Sequence, residues 1–206
     1  MAIRENFKEG PVEGIRVGRF GRGINTTAVL YRIGATLVDC GPPNQWRHVK
    51  RFLGERPVLT VLLTHHHEDH AGNASRLQAR GAEILAPEKA LAPLKDGFAM
   101  LAYRRIIWGR PKRVQAGALP GKAELEDGSH LIPIPAPGHS PDLTCFHSPR
   151  AAEAGQPGVA AAGGQGPGRA GSGRPRNHAP AAGRGGLHVP SHPRAVLQAQ
   201  PHPGLP

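Results

Sequence analysis

Short runs of apolar residues, separated by glycine and proline, predict a series of strands in the first part of the chain. Runs rich in β-branched residues lie at 14–20, 26–33 and 35–39. The continuous apolar run at 58–63 is typical of a strand that is buried on both faces. Glu83–Ala86 has the length and composition of a further strand.

Apolar residues at helical spacing predict helices between these strands, at 44–56 and 71–80. The order strand, helix, strand around 71–80 implies a parallel βαβ unit. Residues 88–108 are expected to be helical in pieces, interrupted by Pro93 and Gly97.

Short apolar segments later in the chain predict a second sheet. These segments are Val114 and the runs at 131–134 and 143–146. Segment 98–108 lies between the two sets of strands, and two interpretations stay open for it. It either lines the mouth of a substrate site or is an ordinary amphipathic helix packed on the fold.

Composition divides the 206-residue chain near residue 150. All nine aromatic residues precede that point, whereas Ala, Gly and Pro make up 33 of the 56 residues at 151–206. A segment with so few large apolar groups cannot bury enough surface to offset the entropy lost on ordering. The expected organisation is therefore one folded domain at 1–150, followed by a disordered tail at 151–206.

Net charge and cysteine content narrow the functional classes. The formal net charge is +11, but no nucleic-acid recognition motif accompanies it. The basic surface is therefore interpreted as solvated, and a nucleic-acid partner is not expected.

Cys40 and Cys145 lie in apolar runs and are far apart in the sequence, which indicates buried thiols in a reducing compartment. With neither a signal sequence nor a membrane span evident, the sequence predicts a cytoplasmic location without a membrane partner.

The segment from Thr64 to Gly72 carries the main chemical signal. His65 and His67 follow a buried strand and are two residues apart, so in extended backbone both imidazoles can face one ion. Asp69 and His70 lie where the chain turns into a helix, so they can face a second ion. Neutral imidazole and carboxylate are zinc ligands.

A second part of the site is predicted at His139, in a tight Gly/Pro loop that follows an apolar strand. This position can complete a three-histidine site with His65 and His67. Three protein ligands with one open position are typical of catalytic zinc. Imidazole and carboxylate also accept iron and manganese, so the sequence predicts one or two metal ions, with zinc expected, and leaves the metal open.

These motifs resemble those of the metallo-β-lactamase superfamily over residues 14–148. His65, His67, Asp69 and His70 match its signature motif, and His139 matches its next metal ligand. The resemblance implies an α/β fold, an αββα sandwich with the metals at one edge. It also implies hydrolysis by a metal-bound hydroxide, with Asp69 as the catalytic carboxylate that orients it.

Asp39 matches an acidic residue at an early strand end of the same family. The resemblance implies that its carboxylate supports the metal loop from behind the ligands. The alternative interpretation is a simple turn residue before Gly41-Pro42.

The resemblance stops near residue 148, which implies that the sandwich is incomplete at its C-terminal end. The family pattern requires a later strand that ends in Gly-Asp, and no Asp follows Asp142 in this sequence. The abrupt change favours a frameshift over a native low-complexity extension, although both remain open. This chain is therefore expected to bind at most about one zinc ion and to hydrolyse substrate slowly or not at all.

Three functions are compatible with these features. The leading one is a zinc-dependent hydrolase of an ester, a thioester or a similar bond in a small molecule. The second is an inactive truncated or frameshifted product with a partial metal site. The third, less favoured, is a nucleic-acid phosphodiesterase of the same superfamily. The oligomeric state stays open.

Overall fold

Two β-sheets packed face to face form the centre of the protein, in a computed structural model that describes residues 3–20 and 26–149. The predicted tail at 151–206 lies outside the described residues. Helices cover the outer face of the larger sheet. The described residues thus form three successive layers: helices, a large sheet and a small sheet.

Among the described residues, four strands come first, helices and strands share the middle of the chain, and four strands come last. The strands are β1 Ile3–Glu9, β2 Val12–Gly18, β3 Thr27–Ile33, β4 Thr36–Val38, β5 Thr60–Leu62, β6 Glu83–Ala86, β7 Gly117–Ala118, β8 Ala123–Glu124, β9 His130–Pro135 and β10 Thr144–His147. The helices are α1 Trp46–Leu53, which follows a short 3-10 turn at Pro43–Gln45, α2 Ala74–Gln78, α3 Glu88–Asp96 and α4 Ala102–Trp108.

The larger sheet has seven strands in chain order, β1 to β7. Its first four strands form an antiparallel meander, and β4 to β7 run parallel to one another. The parallel βαβ unit predicted around β5, α2 and β6 is confirmed. The smaller sheet is antiparallel in the order β10-β9-β8.

Alternating side chains of the large sheet pack into two separate hydrophobic cores, one on each face of the sheet. On β5, Val61 faces the helices, with Val49 of α1 and Leu77 of α2 in the same cluster. Its neighbour Leu62 points to the other face, where Leu131 and Phe146 of the small sheet complete a second cluster. A strand buried on both faces needs apolar residues at every position, and Val61, Leu62 and Leu63 at the end of the run 58–63 are fully buried. Leu59, which precedes the strand, is exposed.

Most predicted elements are present, with ends shifted by one to three residues. The prediction for Val114 is wrong, because this residue is buried in the helix-side core and lies outside the strands of the small sheet. Pro93 was expected to interrupt its helix but lies inside α3. Burial of Ala90 and Leu94 holds this helix on the sheet despite the proline, and Gly97 ends it as predicted.

Both cysteines are buried and free, as the sequence predicted. Burial raises the pKa of the Cys40 thiol, so this group stays protonated and unreactive at neutral pH. Within the part of the chain that the structure describes, the helices are too short or too polar to cross a bilayer.

Candidate metal centre

Three histidines from two distant segments converge at the end of β5. His65, His67 and His139 each offer a ring nitrogen, and these nitrogens all lie within 4.8 Å of one another. The first two come from the loop that leaves β5, and His139 comes from the loop between β9 and β10. A hydrogen bond from Thr144 N to the carbonyl oxygen of Thr64 (2.9 Å) brings the two segments together.

His65 is the most buried of the three, with an exposed fraction of 0%. Its Nδ1 lies 2.9 Å from the hydroxyl of Thr64. Its Nε2 is buried and has no hydrogen-bond partner among the described residues. A buried ring nitrogen without a partner loses its hydration without compensation, so it is the kind of atom that a metal ion would satisfy.

His67 and His139 are close enough to share an ion. Nδ1 of His67 lies 3.1 Å from Nε2 of His139. Two nitrogens on a tetrahedral zinc at about 2.0–2.1 Å would be separated by about 3.3 Å. The observed separation therefore fits two ligands of one zinc ion.

The environment keeps the first two imidazoles neutral. Burial is the main reason that the pKa of His65 lies well below its usual value. Burial, with help from the positive charge of Arg104, lowers the pKa of His67 to about 3. Metal ligation requires the neutral ring, so both side chains are in the competent protonation state at neutral pH.

Asp39 supports the loop from beneath, the position that the sequence resemblance implied. Its carboxylate accepts hydrogen bonds from Thr64 N (2.8 Å) and from the Thr64 hydroxyl. It also lies 2.7 Å from Nδ1 of His70. Asp39 has a backbone φ of 60°, in the left-handed region that costs about 1–2 kcal/mol for a residue with a Cβ. These contacts compensate for that strained conformation.

Asp69 and His70 lie beside the three-histidine cluster. The rings of His65 and His70 are 4.2 Å apart, and Nε2 of His70 lies 3.4 Å from Oδ2 of Asp69. Burial alone would raise the pKa of Asp69, but the charge of His70 and its hydrogen bond bring it below its usual range. Burial opposes the charged form of His70, yet Asp69 and Asp39 together raise its pKa well above the usual value.

Asp142 is a site residue that the sequence analysis did not identify. Its Oδ2 accepts a hydrogen bond from His66 N (2.9 Å) and lies 2.7 Å from Nδ1 of His66. The hydroxyl of Ser140 donates to its other oxygen. Although burial opposes ionisation, the bonds from His66 and Ser140 hold the pKa of Asp142 below its usual range. Asp142 therefore joins the loop at 63–73, called the histidine-rich loop below, to the loop that carries His139.

Glu68 and Arg104 form a second connection that the sequence analysis missed. Glu68 has an exposed fraction of 0%, and its Oε1 accepts a hydrogen bond from Nε of Arg104 at 2.6 Å. This ion pair attaches α4 to the histidine-rich loop. The sequence carries no signal of this pair, because the pair depends on the packing of α4 against the loop, 36 residues along the chain.

Segment 98–108 combines features of both interpretations offered for it. Phe98 stacks edge-on against His66, with ring centroids 4.8 Å apart, and lines a cavity beside the loop. In α4, Trp108 packs inward, whereas Tyr103 and Ile106 are exposed. The first part of the segment thus adjoins the site, and the second part is a surface helix.

Gly72 gives a direct test of how tightly the histidine-rich loop is packed. A Cβ there would come closer than 3.0 Å to the carbonyl oxygens of Glu68 and Gly41 and to Pro43. Because these are mostly backbone atoms, we expect Gly72→Ala to lower the free energy of unfolding by about 1–3 kcal/mol. Urea denaturation followed by circular dichroism measures the change. Gly121→Ala is the control, since a Cβ at Gly121 meets nothing within 4 Å, and equal stability of the two variants would contradict the packing described here.

A family model and several relatives match this chain. The family model for the metallo-beta-lactamase superfamily matches residues 19–151. The chain is 31% identical over 129 residues to the lactamase-like protein aptB of Emericella nidulans, covering 61% of this chain and 36% of that protein. It is 34% identical over 93 residues to a hydroxyacylglutathione hydrolase of Stenotrophomonas maltophilia, covering 44% of this chain and 29% of that protein.

The fold itself is also shared with solved structures. A metallo-β-lactamase with a HARLDQ motif from Cronobacter sakazakii superposes with a TM-score of 0.52 at 24% identity, covering 70% of this chain and 59% of that one. The chain spans between 29% and 51% of the length of the curated relatives that it matches. At these identities, the structural likeness establishes the fold alone.

Proposed function

The chain belongs to the metallo-β-lactamase superfamily, and from that membership we propose that it is a zinc-dependent hydrolase acting on a small molecule. The bond cleaved is an ester, a thioester or a similar bond. The observation that carries this proposal is the buried Nε2 of His65, which lies inside a cluster of three histidines and has no hydrogen-bond partner within 3–20 and 26–149. Such an atom is expensive to bury unless a metal ion accepts its lone pair.

In this proposal His65, His67 and His139 hold the first ion. Asp69 and His70 contribute to a second, and the ring of His70 releases its extra proton when that ion binds. When bound, zinc supplies a Lewis acid that lowers the pKa of water and polarises the bond to be cleaved. The donor set is three imidazoles with a neighbouring carboxylate, which suits zinc and also accepts iron or manganese.

In this proposal, side chains around the cluster bind the attacking water and orient the ligands. Asp69 is ionised at neutral pH, so its carboxylate can accept a hydrogen bond from the attacking water and carry its proton toward the leaving group. Asp39 fixes the orientation of His70 through Nδ1, as a carboxylate commonly does for a ligating imidazole. Asp142 holds the loop of His139 against the first two ligands.

Two observations support the proposed substrate class. One relative is named as a hydrolase of hydroxyacylglutathione, which is a thioester, and this supports a thioester or ester for the present chain. A phosphodiester in nucleic acid is less favoured, because the excess of basic residues comes without a recognition motif. The two buried free thiols fit a reducing, cytoplasmic setting.

Metal removal and a substrate panel test the proposal on the 206-residue chain. We expect about one zinc per chain and slow hydrolysis of thioesters or esters that a chelator abolishes and zinc restores, with phosphodiesters slower still. Elemental analysis gives the stoichiometry, and initial rates give the order of substrates. Free zinc at the same concentration is the control.

The alternative is a partial site that binds metal without turnover. It is favoured by one feature of the sequence, the absence of any Asp after Asp142 to bridge two ions. Stoichiometric zinc with rates no faster than free zinc on every substrate would support this alternative and refute the hydrolase activity of the 206-residue chain. Tight binding of two zinc ions would instead show that other residues complete the second site, and His178 and His188 would then be the first to replace.

A further inference from the structure

A cavity of about 610 Å³ lies next to the histidine-rich loop. It is partly open to solvent and is lined by the end of α3, the chain at 97–100 and the chain at 110–113, with His66 and Ala71 on the side of the loop. Its volume is within the range of about 300–1,000 Å³ that is typical of small-molecule sites.

The cavity adjoins the metal centre through a short chain of ring contacts. Phe98 in the cavity wall is 4.8 Å from the ring of His66, and His66 is 4.7 Å from His67. The ring of His67 in turn lies 4.9 Å from that of His139. His66 therefore lies between the cavity, which it lines, and His67, the nearest candidate ligand in this chain of contacts.

The wall of the cavity is strongly basic. Arg110, Lys112 and Arg113 line it, together with the single carboxylate of Asp96. Among residues 3–20 and 26–149, these cations take part in none of the ion pairs. These three cations and the carboxylate are all exposed at the cavity, and the excess of positive charge among them attracts anions.

The same cavity also has an apolar side. Leu94, Phe98 and Met100 contribute to its lining, and Phe98 and Met100 are partly buried. A ligand that matches both sides would carry an apolar body and an anionic group at one end.

From this arrangement we propose that the cavity binds the anionic part of the substrate, a carboxylate or phosphate attached to an apolar body. The inference rests on the proposed hydrolase function, because it assigns the cavity to that enzyme's substrate. The guanidinium groups of Arg110 and Arg113 bind the anion in a bidentate manner, Lys112 adds a point charge, and Phe98 packs against the apolar body.

The test uses the metal-free, full-length chain, so that zinc cannot bind the probe. The probes are 4-phenylbutyrate and the neutral 4-phenylbutanamide, which has nearly the same shape, with 3-phenylpropyl phosphate as a second anion. Affinity is measured by NMR chemical-shift titration of ¹⁵N-labelled protein in a buffer free of phosphate and carboxylate. We expect both anions to bind about tenfold more tightly than the amide, with the largest shifts at 96–100 and 110–113.

Three variants make the test specific. Arg110→Met/Arg113→Met should weaken the anion by about tenfold, whereas Asp96→Asn should tighten it, a gain that misfolding cannot produce. Lys50→Met/Lys89→Met is the control, because it removes two exposed lysines outside the cavity and should leave the affinity unchanged.

Equal binding of anion and amide would overturn the inference, as would shifts centred elsewhere or an equal loss in the lysine control. Because the titration needs no metal, its result is independent of the proposed function. Anion binding without zinc-dependent hydrolysis would refute only the proposed hydrolase function. Hydrolysis without anion binding would refute only the proposed role of the cavity.

Discussion

Replacing His67 by alanine should reduce the zinc bound by the chain from about one ion to almost none. His67 Nδ1 lies 3.1 Å from His139 Nε2, and the cluster of mutually close nitrogens has three members. Without the nitrogen of His67, two ring nitrogens remain in the cluster, which are too few to retain the ion during gel filtration in metal-free buffer. Elemental analysis of the eluted protein, relative to protein concentration, measures the effect.

His130→Ala provides the matched control for this replacement. His130 begins β9 and pairs with Glu124 of β8, away from the loop that carries His139. This variant should keep the zinc content of the parent chain. Unchanged zinc in His67→Ala, or an equal loss in His130→Ala, would contradict the proposed ligand set.

Asp39→Ala should lower the free energy of unfolding by about 3–5 kcal/mol, because it removes one partner of a buried ion pair. The variant leaves Thr64 N without its acceptor and leaves the buried, positively charged form of His70 without one of its two carboxylates. Urea denaturation, monitored by circular dichroism on the metal-free chain, measures the loss.

Asp39→Asn separates the hydrogen bonds from the charge. The amide oxygen can still accept from Thr64 N, so we expect this variant to lose less stability than the alanine variant. If the alanine variant fails to fold, the asparagine variant still gives a measurable loss. A change below about 1 kcal/mol in both variants would show that Asp39 is an ordinary turn residue.

The sequence predicted the parts of the fold that have a local pattern. Glu83–Ala86 was predicted to the residue, because a short apolar run between two glycine- or proline-marked turns has few alternatives. By contrast, β1 at Ile3–Glu9 was not predicted. It is an edge strand with exposed side chains, including Phe7 at 42%, so its position depends on pairing with β2 and leaves no apolar pattern.

Val114 illustrates the limits of a single apolar residue as evidence. The strand near it is β7, which has two small residues and pairs with β6 of the large sheet. Val114 itself donates a hydrogen bond from N to the carbonyl oxygen of Leu94 and packs on the helix-side core. Only the tertiary structure determines which sheet such a short segment joins.

Within the candidate site, motif spacing predicted the convergence of His65 and His67 with His139, and the structure brings these three together. The contacts that hold them were not predictable. Asp142 and Arg104 contact the loop across 76 and 36 residues of sequence, and an acidic or basic residue at such a distance carries no signal of its partner. The metal-binding roles of Asp69 and His70 stay predictions for the stoichiometry experiment.

The separation of the candidate ligands along the chain would give a bound metal ion a further role. His67 and His139 are 72 residues apart, and they approach each other only when the small sheet has docked on the large one. An ion held by both would act as a cross-link that closes a long loop, so it would restrict the unfolded chain much as a disulfide does. The ion would bind after the two sheets meet, and the free energy of unfolding would then increase with the concentration of the ion.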